Sequence, residues 1–530
     1  VVPPQPDGGG RVKMGFHRPK MAKLRLACTL LACAKGLTPQ RMPAAPKTAQ
    51  KVATVEALGE AVAVAAPDAF DWFDHWYPVN VVDSMDPSRP HKVQLLGLNL
   101  VLWNDGATVG GEKAAGSWRA FEDSCPHRRG PLSEGRVEDD GTLLCSYHGW
   151  RYDGSGACSD LPYSPESKRE RHQCSASCAS FPTQVADGMV WVFPNRAISA
   201  IEALLKPAPL VSELHDPRPG EDRDWQVKIP AGVRDFPCGW DTMVENTLDP
   251  AHFCAAHHGT LGDRYSDPRA YTFKTTKKVS RDGGFELDGD MGSLEFVPPC
   301  LVKYRPNYGA MPFEGALVLA TYCVPTAPGK VRPLATVLRD RAAPFRETLA
   351  ERALAVFMGP TWFPGLVPKW FGHIASSVVL HQDAALLYEQ YRNLIDEGYE
   401  PTKPGSKSFN QVCYMPNDVD RGVTAYRRWL QVHAGGGVPW ACDDALPPRG
   451  SEDIFDMWDA HTSHCSHCLD AYRNFGIARD VAAGAVVVAA LLPDAAPRLP
   501  VGLAAAALAL GIDRFMGLFR RYEFSHHDND

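Results

Sequence analysis

CPHRRGPLSEGRVEDDGTLLCSYHGW, residues 125–150, decides how this chain is read. It contains two short loops of the same make, one holding Cys125 and His127, the other Cys145 and His148, across a 17-residue gap. Each loop puts one thiol beside one imidazole. Pro126, Gly130 and Pro131 shape the first loop, and Gly149 the second. A structural zinc site also takes two Cys and two His, but zinc fingers keep like ligands together, as C-x2–4-C and H-x3–5-H. Here each half is mixed, which suits a metal cluster whose two irons take different ligands.

Two thiolates on one iron and two imidazoles on the other make the Rieske [2Fe-2S] ligand set, whose neutral imidazoles raise the potential relative to four thiolates. Cys125, His127, Cys145 and His148 are the expected ligands. Such a cluster only moves electrons, so the chain needs a place to send them. ENTLDPAHFCAAHHG, residues 245–259, offers one. Asp249 and His252 are three apart and share a helical face. His252 and His257 are five apart, which at ~100° per residue leaves them roughly 140° off a common face. The helix must therefore end or distort near Ala255 for both rings to reach one metal, and Gly259 and Gly262 offer an ending. His258 is an alternative to His257. Two His and one carboxylate with open positions form the facial triad of non-heme Fe(II) oxygenases. The carboxylate expected is Asp383 in LHQDAALLYEQYRN (380–393), where it opens a helical run; a simple N-cap is the rival reading.

Around these segments the chain is an ordinary globular sequence of 530 residues, 45% hydrophobic and 22% charged, with net charge −7. No basic balance points to nucleic acid. Its 15 Cys form no dense framework, so a reducing compartment with mostly free thiols is expected, with Cys238, Cys254, Cys300 and Cys323 as core residues. Residues 1–55 hold ten Lys or Arg and one acid, Asp7, so 1–70 reads as a transit peptide or disordered tail. Short β-rich runs (WYPVNVVDSM, KVQLLGLNLVLW, SWRAFED, GMVWVFPN) predict an all-β domain over 71–196. From 220 to 435, strand-like runs (DWQVKIP, YTFKTT, ALVLATYCV) mix with helical ones (Arg234–His257, Ala384–Asp396), without βαβ alternation. The class is α+β.

Residues 436–478 read as a linker carrying Cys465 and Cys468. In a reducing organelle that C-x2-C is a thiol switch addressed by thioredoxin; with His461, His464 and His467 nearby it is instead a small zinc site. Over 479–521 two apolar runs, 481–492 and 501–512, are each shorter than the ~20 residues that span a bilayer. They predict a membrane-associated helical hairpin flanked by Arg479, Arg498, Arg520 and Arg521; a pair of buried core helices is the alternative.

With these features the chain resembles the Rieske non-heme iron oxygenases over about 71–475. More narrowly it resembles the chloroplast group of pheophorbide a oxygenase, chlorophyllide a oxygenase, the protochlorophyllide-oxidising oxygenase and the Rieske component of the inner-envelope import translocon. DHWYPV, CPHR-x2-PLSEGR, CSYHGW, VEN-x2-DPAH-x4-H and the late HC-x2-C carry the likeness. The late pair is not expected in chlorophyllide a oxygenase or in bacterial ring hydroxylases, and FPCGW (236–240) departs from the usual PYG-like stretch.

The resemblance implies a Rieske domain plus a catalytic domain with a curved antiparallel sheet and helices, of helix-grip type. It implies that His252, His257 and Asp383 hold Fe(II), that Asn246 supports the site without touching the metal, and that Asp249 links the cluster of one subunit to the iron of its neighbour in a homotrimer. It further implies ferredoxin as electron donor, O2 and a tetrapyrrole as substrates, with pheophorbide a first, and a thylakoid or inner-envelope membrane as the place of work. A redox-sensing import component without a substrate is the alternative from another class.

Overall fold

The computed structural model describes residues 69–526 apart from 110–111, 216–224, 261, 266–267, 269, 308–316, 341–367, 443–445 and 494–496. All but the last two residues of the expected transit segment lie outside these.

Short strands come first, as the alternating apolar runs require. Strands β1 (Tyr77–Val81), β2 (His91–Leu95), β3 (Leu98–Asn104) and β4 (Trp118–Glu122) precede four very short ones, β5 (Arg136–Val137), β6 (Leu143–Leu144), β7 (Arg151–Tyr152) and β8 (Cys158–Asp160). After them come β9 (Ser180–Phe181), β10 (Thr183–Ala186) and β11 (Met189–Val192). They build three antiparallel sheets, ordered β9-β4-β3-β2, β8-β7-β6-β5 and β1-β11-β10. The β2–β3 turn holds Leu96 at φ 52° and Gly97 at φ 84°. Positive φ at both central residues is the hairpin geometry that matches strand twist. The amides of this tip donate to the Pro325 and Thr326 carbonyls at 2.9 and 2.7 Å.

The second half is a seven-stranded antiparallel sheet. Its strands are β12 (Trp225–Val233), β13 (Phe273–Ser280), β14 (Gly284–Gly289), β15 (Gly292–Val297), β16 (Leu301–Pro306), β17 (Leu317–Ala327) and β18 (Lys330–Asp340), in the order β12-β18-β17-β16-β15-β14-β13. Register shifts in β12 and β13 fall in the two edge strands, where bulges bend a sheet. Helices α1 (Trp240–Thr247), α2 (His252–Ala256), α3 (Lys369–Asp396) and α4 (Arg421–His433) accompany the sheet, with α1 and α4 packed on its strands.

The two halves share one core. Trp72 meets Trp240 edge-on at 5.0 Å, and Trp191 meets Tyr322 at 5.2 Å. A separate small core of Val101, Trp103, Phe121, Leu132, Leu143 and Tyr152 surrounds Cys125 and Cys145.

Sequence expectations about the helices are corrected first. The helical run expected over Arg234–His257 is broken: strand β12 runs to Val233, and α1 and α2 are separated near Pro250. Pro237 and Pro250 lack the N–H a continuous helix needs. Helix α3 starts at Lys369, so Asp383 is its fifteenth residue and no N-cap. Ser376, Ser377, Val378 and Val379 are weak helix formers, and tertiary packing overrides them.

The C-terminal hairpin is longer than its apolar runs: α5 spans Ser466–Leu491 and α6 Arg498–Met516. Helix α5 therefore begins inside the stretch read as a linker. The two helices pack on small residues: a Cβ at Gly502 would lie 3.7 Å from Ala489. Arg479 bridges to Asp513 at 3.1 Å. Both helices are long and apolar enough to cross a membrane. Their outer faces are open, with Leu491 80% and Leu510 71% exposed, so they are not the core helices of a soluble fold. Among the described residues no disulfide forms. Cys238, Cys300 and Cys323 are buried as expected, but Cys254 is only partly so.

Candidate active site

The cluster loops lie between β4 and β5 and between β6 and β7, and they close in the same way. The amide of Arg129 donates to the Cys125 carbonyl at 2.8 Å, and that of Gly149 to the Cys145 carbonyl at 2.9 Å. The amides of Cys125 and Cys145 donate to the carbonyls of Gly130 and Trp150 at 2.9 and 2.8 Å. Arg129 (φ 58°) and Gly149 (φ 70°) occupy the matching left-handed position.

This repeat brings the four expected ligands together. The mutual interaction of the two thiols, with burial, pushes the Cys125 thiol up and, against burial, holds Cys145 down, at about 6. The imidazoles of His127 and His148 lie with centroids 4.4 Å apart. His127 Nδ1 is buried without a hydrogen-bond partner, as a nitrogen kept for a metal would be. The donor set fits a Rieske cluster.

Trp150 stacks on His127 at 4.4 Å, and the Tyr152 hydroxyl lies 3.1 Å from Cys125 Sγ. An O–H···S bond to a cluster thiolate favours the reduced, more negative state. Tyr152→Phe is expected to lower the cluster potential. A bond of about 1 kcal/mol corresponds to roughly 40 mV for one electron. A redox titration followed by EPR checks it.

The second group forms where α2 faces α3. Helix α2 ends at Ala256, and His257 leaves helical geometry (φ −100°, ψ 32°). This is the ending the five-residue spacing required. The ligand atoms of His252, His257 and Asp383 lie within 4.8 Å of one another. His252 Nε2 is 3.9 Å and His257 Nε2 3.4 Å from the Asp383 carboxylate.

The other nitrogen of each ring is occupied. His252 Nδ1 contacts the Asp249 carbonyl, and His257 Nδ1 lies 2.9 Å from Gln382 Oε1. Such bonds fix the tautomer and leave Nε2 for a metal. Burial alone would raise the Asp383 carboxyl, but the His257 hydrogen bond and charge outweigh it and hold it low. Two imidazoles and an ionised carboxylate in one buried place fit a divalent iron.

Asn246 Nδ2 donates to Asp383 Oδ1 at 3.3 Å. The Asp249 carboxylate is 4.0 Å from His252 Nδ1, accepts the Ala251 amide at 2.8 Å and is about one-third exposed (32%). Burial pushes its carboxyl above the ordinary value. His258 points elsewhere, accepting the Arg264 amide at 3.0 Å. Gln382 was not among the residues the sequence singled out; its only signal was its place beside Asp383. Thr260 also donates to its Oε1 at 3.0 Å. Gln382→Leu is expected to weaken iron retention at this site about 10–100-fold, measured by chelator competition with the cluster as internal standard.

The late cysteines lie away from this group. Cys465 and Cys468 meet His461 and also His373 of α3. His464 is not part of that group, and His467 turns to Asp83 at 3.1 Å.

Comparison with known proteins gives two family matches: Rieske [2Fe-2S] domain over residues 75–182 and pheophorbide a oxygenase over residues 296–400. The chain is 31% identical over 442 residues to the chloroplastic pheophorbide a oxygenase of Oryza sativa subsp. japonica, covering 80% of this chain and 77% of that one. It is 30% identical over 422 residues to the chloroplastic flavonoid 8-hydroxylase 2 of Ocimum basilicum (74% and 72% covered). It is 29% identical over 455 residues to the chloroplastic protochlorophyllide-dependent translocon component 52 of Arabidopsis thaliana (75% and 73% covered).

Proposed function

Because the chain belongs to the Rieske non-heme iron oxygenases, in the group of pheophorbide a oxygenase, with a [2Fe-2S] cluster and a mononuclear iron as cofactors, we propose that it oxidises a chlorophyll-derived tetrapyrrole with O2 and ferredoxin electrons. The reaction proposed is oxygenolytic opening of pheophorbide a in chlorophyll breakdown, at a thylakoid or inner-envelope membrane. The observation that carries an enzyme reading is the buried set of His252, His257 and Asp383. A pure electron carrier has no use for it.

Cys125, His127, Cys145 and His148 would hold the cluster, and His252, His257 and Asp383 the iron. When bound, these groups supply single electrons and O2 activation respectively. The protein's own part is placement. Gln382 and the Asp249 carbonyl aim the two imidazoles, and Asn246 steadies the carboxylate. The partly exposed Asp249 carboxylate is left to accept a hydrogen bond from a cluster histidine of a neighbouring chain, in a homotrimer. Phe253 lies beside His252 and His257, with centroids 4.5 and 5.7 Å away. It offers a flat apolar wall to a planar macrocycle. The exposed apolar hairpin would hold the enzyme where such pigments dissolve.

A flavonoid is the second reading, favoured by the likeness to the basil hydroxylase. The test is O2 uptake and product analysis with reduced ferredoxin and a panel of pheophorbide a, protochlorophyllide, chlorophyllide a and a flavone. Consumption of pheophorbide a with an opened-ring product is expected. Turnover of the flavone alone would reassign the substrate. No turnover at full iron loading would favour a redox-sensing import component.

A further inference from the structure

His373 on α3, His461 in a five-residue π-helical turn (Trp458–Thr462), Cys465 just before α5 and Cys468 in its first turn converge on one point. His461 Nε2 lies 3.2 Å from His373 Nδ1 and 3.3 Å from Cys468 Sγ. His373 Nδ1 is 3.4 Å from Cys468 Sγ and 3.5 Å from Cys465 Sγ. Zinc–nitrogen bonds of about 2.0–2.1 Å and zinc–sulfur bonds of about 2.3 Å at tetrahedral angles give N···N edges of roughly 3.3 Å and N···S edges of roughly 3.6 Å. These four distances match edges of that tetrahedron, and all four atoms lie within 4.8 Å of one another.

The surroundings agree. His461 Nδ1 lies 2.6 Å from the Val233 carbonyl. That bond fixes the tautomer and leaves Nε2 free for a metal. Cys465 and Cys468 are 2% and 1% exposed, inside a shell of Trp370, Ile374, Phe475, Phe515 and Phe519. As a pair of buried thiolates they would need a compensating dication, and thiol exchange with a protein partner needs access that these sulfurs lack. Four protein ligands leave no open position, which marks a structural rather than a catalytic site.

We infer that His373, His461, Cys465 and Cys468 bind a zinc ion that fastens the apolar hairpin to helix α3. Binding releases the two thiol protons and involves no redox step. The site takes the metal alternative for the late cysteine pair but draws its fourth ligand from α3 in place of His464 or His467. His373 stands ten residues before Asp383 on the same helix, about 15 Å along its axis. The zinc therefore ties the hairpin to the helix that carries a ligand of the iron site.

The test is elemental analysis of the full-length, iron-loaded protein after dialysis against EDTA. About one equivalent of zinc per chain is expected beside the iron. Exchange with Co2+ should give the intense visible bands of a tetrahedral thiolate–imidazole site in the wild-type protein, which needs no variant to fold. His373→Ala and Cys468→Ser should lose the zinc while the cluster EPR signal persists, and His467→Ala should keep it. Iron-replete protein without zinc, iron in place of zinc, or a Cys465–Cys468 disulfide in protein isolated without reductant would each overturn the inference.

Discussion

Asp383→Ala should remove the mononuclear iron, leave the cluster's visible spectrum unchanged and reduce turnover by ~10³-fold or more. The size follows from position. Asp383 lies within 4 Å of both imidazole Nε2 atoms and is the one anionic side chain of the proposed ligand set. Without it a dication meets two neutral rings in a buried place, at a cost of several kcal/mol, and each 1.36 kcal/mol is tenfold in rate. Asn246 and His257 also lose their shared partner. Total iron by mass spectrometry, set against cluster EPR, separates the two metal centres. Full iron retention with normal turnover would remove Asp383 from the ligand set.

Asp249→Ala should give the opposite signature: both metal centres loaded, and turnover lost. The backbone carbonyl of Asp249, not its side chain, receives His252 Nδ1, so the substitution keeps the contact that orients the ligand. What it removes is a partly exposed carboxylate, the one proposed above to meet a neighbouring chain. Single-turnover experiments give the decisive comparison. Cluster and iron are reduced beforehand, O2 is admitted, and oxidation of the cluster is followed by stopped-flow. Rapid cluster oxidation in the variant would exclude Asp249 from electron delivery.

The meeting of Cys125, His127, Cys145 and His148 was legible because each pair sits within a few residues on one loop, where sequence spacing is spatial spacing. The His252–His257 pair was legible for a related reason. A five-residue gap is incompatible with one helical face, and that alone demanded the helix end seen at Ala256. Asp383 was only half legible. Its residue type and downstream place agreed, but its expected setting at a helix start did not, because a helix that packs on other elements tolerates the serines and valines that argue against it. Gln382 and His373 were out of reach. Gln382 is 125 positions from His257 and His373 is 92 from Cys465, and no local pattern records such meetings. The α+β class followed from the order of strand-like and helical runs. The shared core of the two halves did not, since a tryptophan's partner across 168 positions (Trp72 and Trp240) leaves no periodic trace.

The Arg479–Asp513 bridge sets a depth gauge on the hairpin. Beyond it toward the tip, α5 runs from Val481 to Leu491 and α6 back from Ile512 to Leu499 without an acidic or basic side chain. These are lengths of about 17 and 21 Å at 1.5 Å per residue, against a hydrocarbon core about 30 Å thick. The charge-free stretches are shorter than that core, and the full helices, of 26 and 19 residues, reach about 39 and 28 Å only with their charged residues included. If the pigment substrate proposed above shares a membrane with this hairpin, its effective concentration is a ratio of pigment to lipid. Diluting such a membrane with inert lipid should then lower turnover as removing pigment does.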